Sequence, residues 1–240
     1  MGDPYMTCAA LITAAGYGKR MGADVPKQYL HLEGLPILVR TVQAFVDHPM
    51  IERIVLTAPP SEEEYCRNLI LESFEFNEII EIVSGGAARQ ASVYNGLKHI
   101  ANHNIVVIHD GVRPLVTSDV ITRTIEAALH SGAAIACVPV RETVKKKNGS
   151  CLETISRSNF WFAHTPQTFQ TSLIITAHKK ALEEGFTGTD DAVLVERMNH
   201  TVTLVEDSED NIKITTPTDL ELAALLLRRR ERPYGSTVLE

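Results

Sequence analysis

The stretch CAALITAAGYGKRMG, at residues 8–22, places an apolar run directly before a loop of small residues. The run from Cys8 to Ala14 has the length and composition of a buried strand. Beyond the loop, apolar residues recur at helical spacing on one face of a segment, at Ile37, Leu38, Val42, Phe45 and Val46. The chain therefore begins as a strand, a glycine-rich loop and a helix, which is the repeating unit of parallel α/β sheets.

The same alternation continues along the chain. Apolar runs predict further strands at residues 54–58, 79–83, 105–108 and 133–138. Helices are expected after Ser61, from about Arg89 to Ile100, after Ser118 and after Thr216, and the three hydroxyl residues are candidate N-caps. The pattern predicts an α/β fold over residues 1–240, a single domain with a Rossmann-like, mostly parallel sheet and helices on both faces.

The segment 141–158 departs from this alternation, because it is polar and basic. Residues 145–149 offer a turn between two short extended pieces, which predicts a projecting β-hairpin arm. An arm with so little core of its own is expected to be buried against a second subunit, so we expect a homodimer. For Lys145, Lys146 and Lys147 a solvated face is the simpler interpretation.

Composition excludes several classes of protein. The 23 basic and 30 acidic residues give a net charge of -7, which argues against broad binding of nucleic acid. The four cysteines form no Cys-x-x-Cys pair, so neither a zinc site nor a disulfide framework is expected. No stretch approaches the ~18 apolar residues of a membrane helix, and the N-terminus lacks the basic and apolar regions of a signal peptide. We expect a cytoplasmic protein.

The glycine-rich loop is a candidate phosphate site. Small residues let backbone N–H groups approach a phosphate chain, and basic side chains nearby neutralise its charge. The loop lacks the Gly-Lys-Ser/Thr ending of a P-loop and does not match Gly-x-Gly-x-x-Gly. Without further signals, an ordinary strand-to-helix turn remains the alternative. The residues concerned are Ala14, Ala15, Gly16 and Gly18, with Arg20 and Lys27 as the cations.

Gly16-x-Gly18-x-Arg20-Met-Gly, followed by Pro26-Lys27-Gln28, resembles the signature of sugar-phosphate nucleotidylyltransferases. The variant Ala-Ala-Gly-Tyr-Gly-Lys-Arg-Met with Pro-Lys-Gln-Tyr is similar to the 2-C-methyl-D-erythritol 4-phosphate cytidylyltransferase family. The resemblance implies transfer of CMP from CTP to methylerythritol phosphate in the non-mevalonate route to isoprenoids. It also implies that Arg20 and Lys27 are catalytic. Thr13 stands where the family often has proline.

A second segment, residues 85–93, resembles the part of the family that reads cytosine. Gly86 would permit close approach of the base, and Ser92 is carried over as the serine that distinguishes it. A glycine-rich turn before a helix is the alternative. Ala87 departs from the acidic residue of some members, so only a backbone contact is expected there.

His109-Asp110-Gly111-Val112-Arg113-Pro114 follows a predicted central strand, where ligands of parallel sheets gather. Asp110 and Gly111 are assigned to CTP, and Asp110 is also a tentative ligand for Mg²⁺, which the triphosphate would mostly hold. A helix cap or an ion pair with Arg113 is the alternative for Asp110. Arg113 is assigned to the acceptor substrate, and His109 is expected to be structural.

The arm and the C-terminal part carry the remaining implied residues. By resemblance the arm crosses to the other subunit, where Thr143 and Arg157 would bind methylerythritol phosphate near Thr165. Thr189 is carried over as a further substrate contact, whereas Asp190 is expected to cap a helix. Residues 210–215 resemble the family's Asn-x-Lys-x-Thr strand, whose lysine, Lys213 here, reaches the triphosphate. Surface charge is the alternative for this lysine.

The implied mechanism is direct, in-line attack of the substrate phosphate on the α-phosphorus of CTP. Lys27, Lys213 and Arg20 would stabilise negative charge, and Mg²⁺ would offset charge on the pyrophosphate. Two alternatives stay open. One is ribitol 5-phosphate cytidylyltransferase. Ala15 argues against it, because that family more often has Ala-Gly-Gly where this chain has Ala-Ala-Gly. The other is a non-catalytic homologue that binds nucleotide.

Overall fold

The computed structural model describes residues 6–16, 25–74 and 78–231. The elements in these ranges follow the chain order strand, short hairpin, helix, and then a series in which strands and helices alternate. They are β1 (Cys8–Thr13), β2 (His31–Leu32), β3 (Leu35–Pro36), α1 (Ile37–Val46), β4 (Arg53–Ala58), α2 (Glu63–Phe74), β5 (Ile80–Ser84), α3 (Arg89–Leu97), β6 (Ile105–Asp110), α4 (Ser118–Ser131), β7 (Ala133–Pro139), β8 (Val144–Asn148), β9 (Cys151–Ile155), β10 (Trp161–Gln170), α5 (Thr171–Glu183), α6 (Ala192–Glu196), β11 (Thr203–Glu206) and α7 (Pro217–Glu231).

A seven-stranded sheet forms the centre of the described chain, in the order β11-β7-β10-β6-β1-β4-β5. β10 runs antiparallel to β6 and β7, and the other neighbours pair in parallel. The predicted mostly parallel α/β fold is therefore confirmed. β1 lies between β4 and β6, so that its carboxyl end and that of β6 meet at one edge of the sheet.

Helices cover both faces of the sheet because its strands are apolar on both faces. Ile12 faces a cluster with Leu38 and Phe45, to which α1, α2 and α4 contribute. Its neighbour Leu11 points the other way, into a cluster with Phe169 that contains residues of α3, α5 and α6. A smaller cluster under α7 joins Leu32, Ile37, Leu115, Ile214 and Ala223.

The structure corrects several local predictions. Thr117 caps α4 through its hydroxyl, which accepts a hydrogen bond from Val120 N, so Ser118 is already the first helical residue. α2 begins at Glu63, so Ser61 is too early to be its cap. The segment 210–215 is not a strand. It is an irregular loop, and Ile214 N donates to Val112 O.

The predicted hairpin is present within residues 141–158. β8 and β9 pair in antiparallel register from Val144–Ile155 to Asn148–Cys151, around a turn with Gly149 at a φ of 60°. Most side chains of the hairpin are exposed, including Cys151, whereas the other three cysteines are buried. In the described ranges, no helix is long and apolar enough to cross a membrane.

Candidate active site

A pocket of about 400 Å³ opens at the carboxyl ends of β1 and β6. Ligands of open α/β sheets bind at this edge. The pocket lies between the loop after β1, the turn before α3 and the loop that precedes α7. Its lining consists of Thr13, Ala14, Ala15, Gly16, Lys27, Gln28, Pro60, Gly86, Ala87, Ala88, Arg89, Ser92, Asp110, Val112 and Lys213.

The loop after β1 contributes Ala14, Ala15 and Gly16, three of the predicted CTP contacts, to the lining. Gln28 fixes the start of this loop, because its Nε2 donates to Ala14 O at 2.8 Å from a buried position. In the sequence, Gln28 stands out only as part of the Pro26-Lys27-Gln28 motif. Gly18 and Arg20, two further predicted residues of this loop, lie outside the described residues.

The turn before α3 is held by a serine. Ser92 is 2% exposed, and its Oγ accepts from Gly86 N at 3.0 Å and donates to Ala88 O at 3.0 Å. Gly86 and Gly85 are packed so tightly that an added Cβ would lie 2.5 Å from Ala91 Cβ and 2.3 Å from Ala15 Cβ, respectively. The turn is therefore rigid, and the serine hydroxyl shapes the backbone that faces the pocket.

Asp110 lies at the floor of the pocket among three cations. Its carboxylate oxygens are 2.8 Å from Lys213 Nζ, 3.2 Å from Arg89 Nε and 3.6 Å from Arg113 Nε. Burial alone would raise the pKa of this carboxyl, but Arg89, Lys213 and Arg113 outweigh burial and hold the pKa well below its usual value. Asp110 is therefore an ionised carboxylate. The ion pair with Arg113 that was the alternative interpretation exists, but it is one of three.

The two predicted catalytic lysines meet at this pocket. Lys27, in a short 3₁₀ turn after the loop, donates from Nζ to Ile214 O at 3.2 Å. Lys213, the residue before Ile214, pairs with Asp110. Two ammonium groups from distant parts of the chain thus line one cavity, which is an arrangement suited to a polyphosphate.

Three other predicted residues lie beneath or beside the pocket without lining it. Arg113 is 7% exposed and donates from Nη1 to Asn211 O at 2.6 Å. Thr165 is 4% exposed, and its hydroxyl accepts from Asp110 N at 3.1 Å. Gly111 N donates to Thr13 O. Each of the three has at least one polar group bonded within the protein, and their assignment to ligands stays a prediction.

The remaining predicted acceptor contacts, Thr143, Arg157 and Thr189, are exposed and do not line the pocket of their own chain. Arg157 begins a 3₁₀ turn at the end of the arm. The Asp190 side chain accepts from Val193 N at 3.1 Å and so caps the first turn of α6 as predicted, although the residue directly before the helix is Asp191.

Sequence reasoning missed Arg89 and Asp191. Arg89 Nε lies 3.2 Å from Asp110, and its Nη1 lies 2.7 Å from Asp191, which is 1% exposed. A lone arginine at a helix start carries no signal of such a role, because its two partners come from distant segments of the chain.

The side chains of the pocket could hold Mg²⁺ only together with the oxygens of a bound phosphate. The described residues contain no group of three or more His, Cys, Asp or Glu side chains placed to hold a metal ion. Asp110 supplies one carboxylate to the pocket. One carboxylate with phosphate oxygens and waters is a common environment for Mg²⁺.

Comparisons with known proteins agree with this arrangement. The profile of the 2-C-methyl-D-erythritol 4-phosphate cytidylyltransferase family matches residues 8–229. The chain is 47% identical over 227 residues to the protein of that name from Caldanaerobacter subterraneus subsp. tengcongensis, covering 93% of this chain and 100% of that one.

Solved structures give the same result. The 4-diphosphocytidyl-2C-methyl-D-erythritol synthase from Anaerococcus prevotii superposes with a TM-score of 0.83 at 30% identity, covering 93% of this chain and 97% of that one. The 2-C-methyl-D-erythritol 4-phosphate cytidylyltransferase from Thermus thermophilus gives 0.77 at 35% identity, covering 93% and 100%. This chain belongs to the 2-C-methyl-D-erythritol 4-phosphate cytidylyltransferase family.

Proposed function

We propose that the protein transfers CMP from CTP to 2-C-methyl-D-erythritol 4-phosphate, releasing pyrophosphate, as a cytoplasmic enzyme of the non-mevalonate route to isoprenoids. The observation that carries the proposal is the meeting of Lys27 and Lys213 in one pocket, which the turn with Gly86 and Ser92 also lines. Membership of the family supports both substrates.

CTP binds with its base against the turn before α3 and its phosphates against the loop after β1. The tight turn offers main-chain donors and acceptors at fixed positions, which suits the edge of a pyrimidine. The small side chains of Ala14, Ala15 and Gly16 leave the backbone of the loop accessible to phosphate oxygens.

The substrate phosphate attacks the α-phosphorus in line, so that one P–O bond forms while the bond to pyrophosphate breaks. Lys27 and Lys213 stabilise the charge on the phosphoryl oxygens, and the ligand competes with Asp110 for the ammonium group of Lys213. No protein nucleophile is needed, since a phosphate monoester is already an anion at neutral pH. Consistent with this, no Cys or His is among the described residues that line the pocket.

We include Mg²⁺ in the proposal. Asp110 would be its protein ligand, and the ion would offset charge on the departing pyrophosphate.

We further propose a homodimer that exchanges arms, so that Thr143 and Arg157 reach the acceptor bound in the partner's pocket. Two features support this. Neither residue lines the pocket of its own chain. In addition, the arm and the strand after it expose large apolar side chains that a second copy would cover, namely Leu152, Phe160, Trp161 and Phe162.

The test is pyrophosphate release from CTP and Mg²⁺ with methylerythritol phosphate or ribitol 5-phosphate as the acceptor. We expect release with the first acceptor alone, and a loss of about 10²–10³-fold in kcat for Lys27→Ala and Lys213→Ala. Lys180→Ala is the matched control, because this lysine lies 4.0 Å from Glu184 on the exposed face of α5.

The alternatives give different results. Release with ribitol phosphate alone would retain the chemistry and reject the acceptor. No pyrophosphate release with either acceptor, while CTP still binds, would identify a non-catalytic homologue.

A further inference from the structure

Arg89 joins the pocket to a buried carboxylate behind it. Its guanidinium contacts Asp110 through Nε at 3.2 Å and Asp191 through Nη1 at 2.7 Å. The arginine lines the pocket, whereas Asp191 does not. The planar fork of an arginine can contact two carboxylates at once, which the single ammonium of a lysine does less well.

Asp191 is itself fixed in place. It is 1% exposed, its backbone N donates to Gln167 Oε1 at 3.1 Å, and its other carboxylate oxygen lies 3.3 Å from His178 Nε2. Burial would raise the pKa of Asp191, but Arg89 together with His178 outweighs burial and keeps it below its usual value. Asp191 is thus a rigid, ionised anchor for the outer half of the guanidinium.

The Arg89 guanidinium shares with Lys213 the task of compensating the negative charge of Asp110. In this structure Lys213 Nζ is 2.8 Å from Asp110, so a phosphate in the pocket has to compete with that carboxylate for the charge of the ammonium group. In the absence of Mg²⁺, a buried carboxylate whose lysine is drawn toward a phosphate depends more strongly on its other cationic partners. Among the described residues, Arg113 Nε is 3.6 Å from Asp110, so Arg89, at 3.2 Å, is the better placed of the two other cations.

We propose that Arg89 is a positioning residue that holds Asp110 in place and thereby frees Lys213 to transfer to the phosphates of CTP. The role rests on the proposed function, in which Lys213 binds the triphosphate. Arg89 acts through Asp110 and Lys213, and Asp191 keeps its guanidinium aimed at the pocket.

The first experiment measures, without Mg²⁺, the affinities of CTP and of cytidine for the unaltered protein and for Arg89→Met. Without Arg89, Lys213 stays paired with Asp110, so we expect CTP to bind about tenfold more weakly and cytidine to bind as before. A residue that merely held α3 would weaken both ligands equally, because α3 also carries Ser92. Equal losses, or no loss for CTP, would overturn the proposal.

A double variant tests whether misfolding explains the result, and a second variant serves as a control. Arg89→Met leaves Asp191 buried with less compensation, which destabilises the fold. The double variant Arg89→Met/Asp191→Asn removes one charge of each sign, and we expect it to fold while keeping the selective loss of CTP affinity. Arg53→Met is the control, since Arg53 pairs with Glu81 at 2.6 Å on strands away from the pocket lining.

A double-mutant cycle with Lys213→Ala separates an indirect effect from a direct contact. If Arg89 acts through Lys213, then Arg89→Met causes no further loss of CTP affinity in the Lys213→Ala background. A further loss of about tenfold there would mean that Arg89 contacts the phosphates itself, and the positioning role would be rejected. Because these are binding measurements, they remain decisive even if turnover with methylerythritol phosphate were absent.

Discussion

His109 lies fully buried beneath the pocket, and both of its ring nitrogens are bonded. Nε2 is 3.1 Å from Arg113 O, and Nδ1 is 3.0 Å from the Thr165 hydroxyl. A carbonyl oxygen only accepts, so Nε2 carries the proton and Nδ1 accepts from Thr165. The Thr165 hydroxyl in turn accepts from Asp110 N. A neutral histidine therefore supports the backbone of Asp110, in agreement with the structural role predicted from the sequence.

This arrangement predicts a pH dependence of stability. Burial lowers the pKa of His109 to about 4. Below the unfolded pKa of ~6.5 the unfolded chain binds a proton that the native protein does not, so stability falls as the pH drops. We expect His109 to account for a loss of about 2 kcal/mol in the free energy of unfolding between pH 7.5 and 5.

Urea unfolding at several pH values measures this effect. His48, whose pKa burial also lowers, contributes to the total, so the comparison is between variants. His109→Gln is expected to have a flatter profile, whereas His31→Gln, at an exposed position, keeps the original slope. An unchanged slope in His109→Gln would contradict the assignment.

Two glycines of the pocket differ in the space around them. A Cβ on Gly85 would lie 2.3 Å from Ala15 Cβ and 2.9 Å from Ala58 O, whereas one on Gly16 would meet nothing within 4 Å. We expect Gly85→Ala to lower the free energy of unfolding by about 1–3 kcal/mol through overpacking. Gly16→Ala is the matched comparison and should stay within roughly 0.5 kcal/mol of the unaltered protein. Equal effects on denaturation midpoints would refute the packing argument.

At the scale of single elements, the N-terminus of α4 distinguishes two neighbouring hydroxyl residues. Thr117 has an extended backbone, and its side chain accepts from Val120 N, while Ser118 is already helical. Thr117→Ala should therefore cost about 1 kcal/mol, as lost N-caps do. Ser118→Ala is expected to change stability by less than about 0.5 kcal/mol, because the Ser118 side chain is not the cap. Thermal unfolding of the two variants shows which residue is the N-cap. A larger loss for Ser118→Ala than for Thr117→Ala would support Ser118, as predicted from the sequence.

The elements that sequence reasoning located are those with strong local signals. β1 and β6 are apolar runs buried on both faces, and α7 begins at the predicted Pro217 with Thr216 Oγ1 accepting from Asp219 N at 3.3 Å. β10 was not predicted as a strand, because Trp161–Gln170 mixes polar residues with a proline. Pairing with β6 and β7 determines its structure, and that pairing is a property of the assembled sheet.

At the scale of the whole molecule, the pocket depends on contacts between distant segments. The Lys27 and Lys213 segments were identified through their resemblance to the family, and both residues line the pocket. The ion pairs from Asp110 to Arg89 and from Arg89 to Asp191 join three separate parts of the chain. No local pattern encodes these pairs, since each depends on where the sheet and its loops place the partners.

The proposed exchange of arms makes each active site depend on two chains. In such a dimer, Lys213 acts in the pocket of its own chain and Arg157 acts in the pocket of the other. Each single variant, Lys213→Ala or Arg157→Ala, is then inactive by itself. A mixed dimer, however, contains one site with Lys213 from one chain and Arg157 from the other, and that site is intact.

Mixing the two variants in equal amounts, with time for subunits to exchange, is therefore expected to restore activity. Random reassociation makes half of the dimers mixed, so about a quarter of all sites should be intact. If Arg157 served its own chain, each mixed dimer would combine one pocket without Lys213 and one without Arg157, and no activity would return. Light scattering on the same samples checks the dimer itself. A monomer under these conditions would reject the exchange of arms, because the arm would then have no partner pocket to enter.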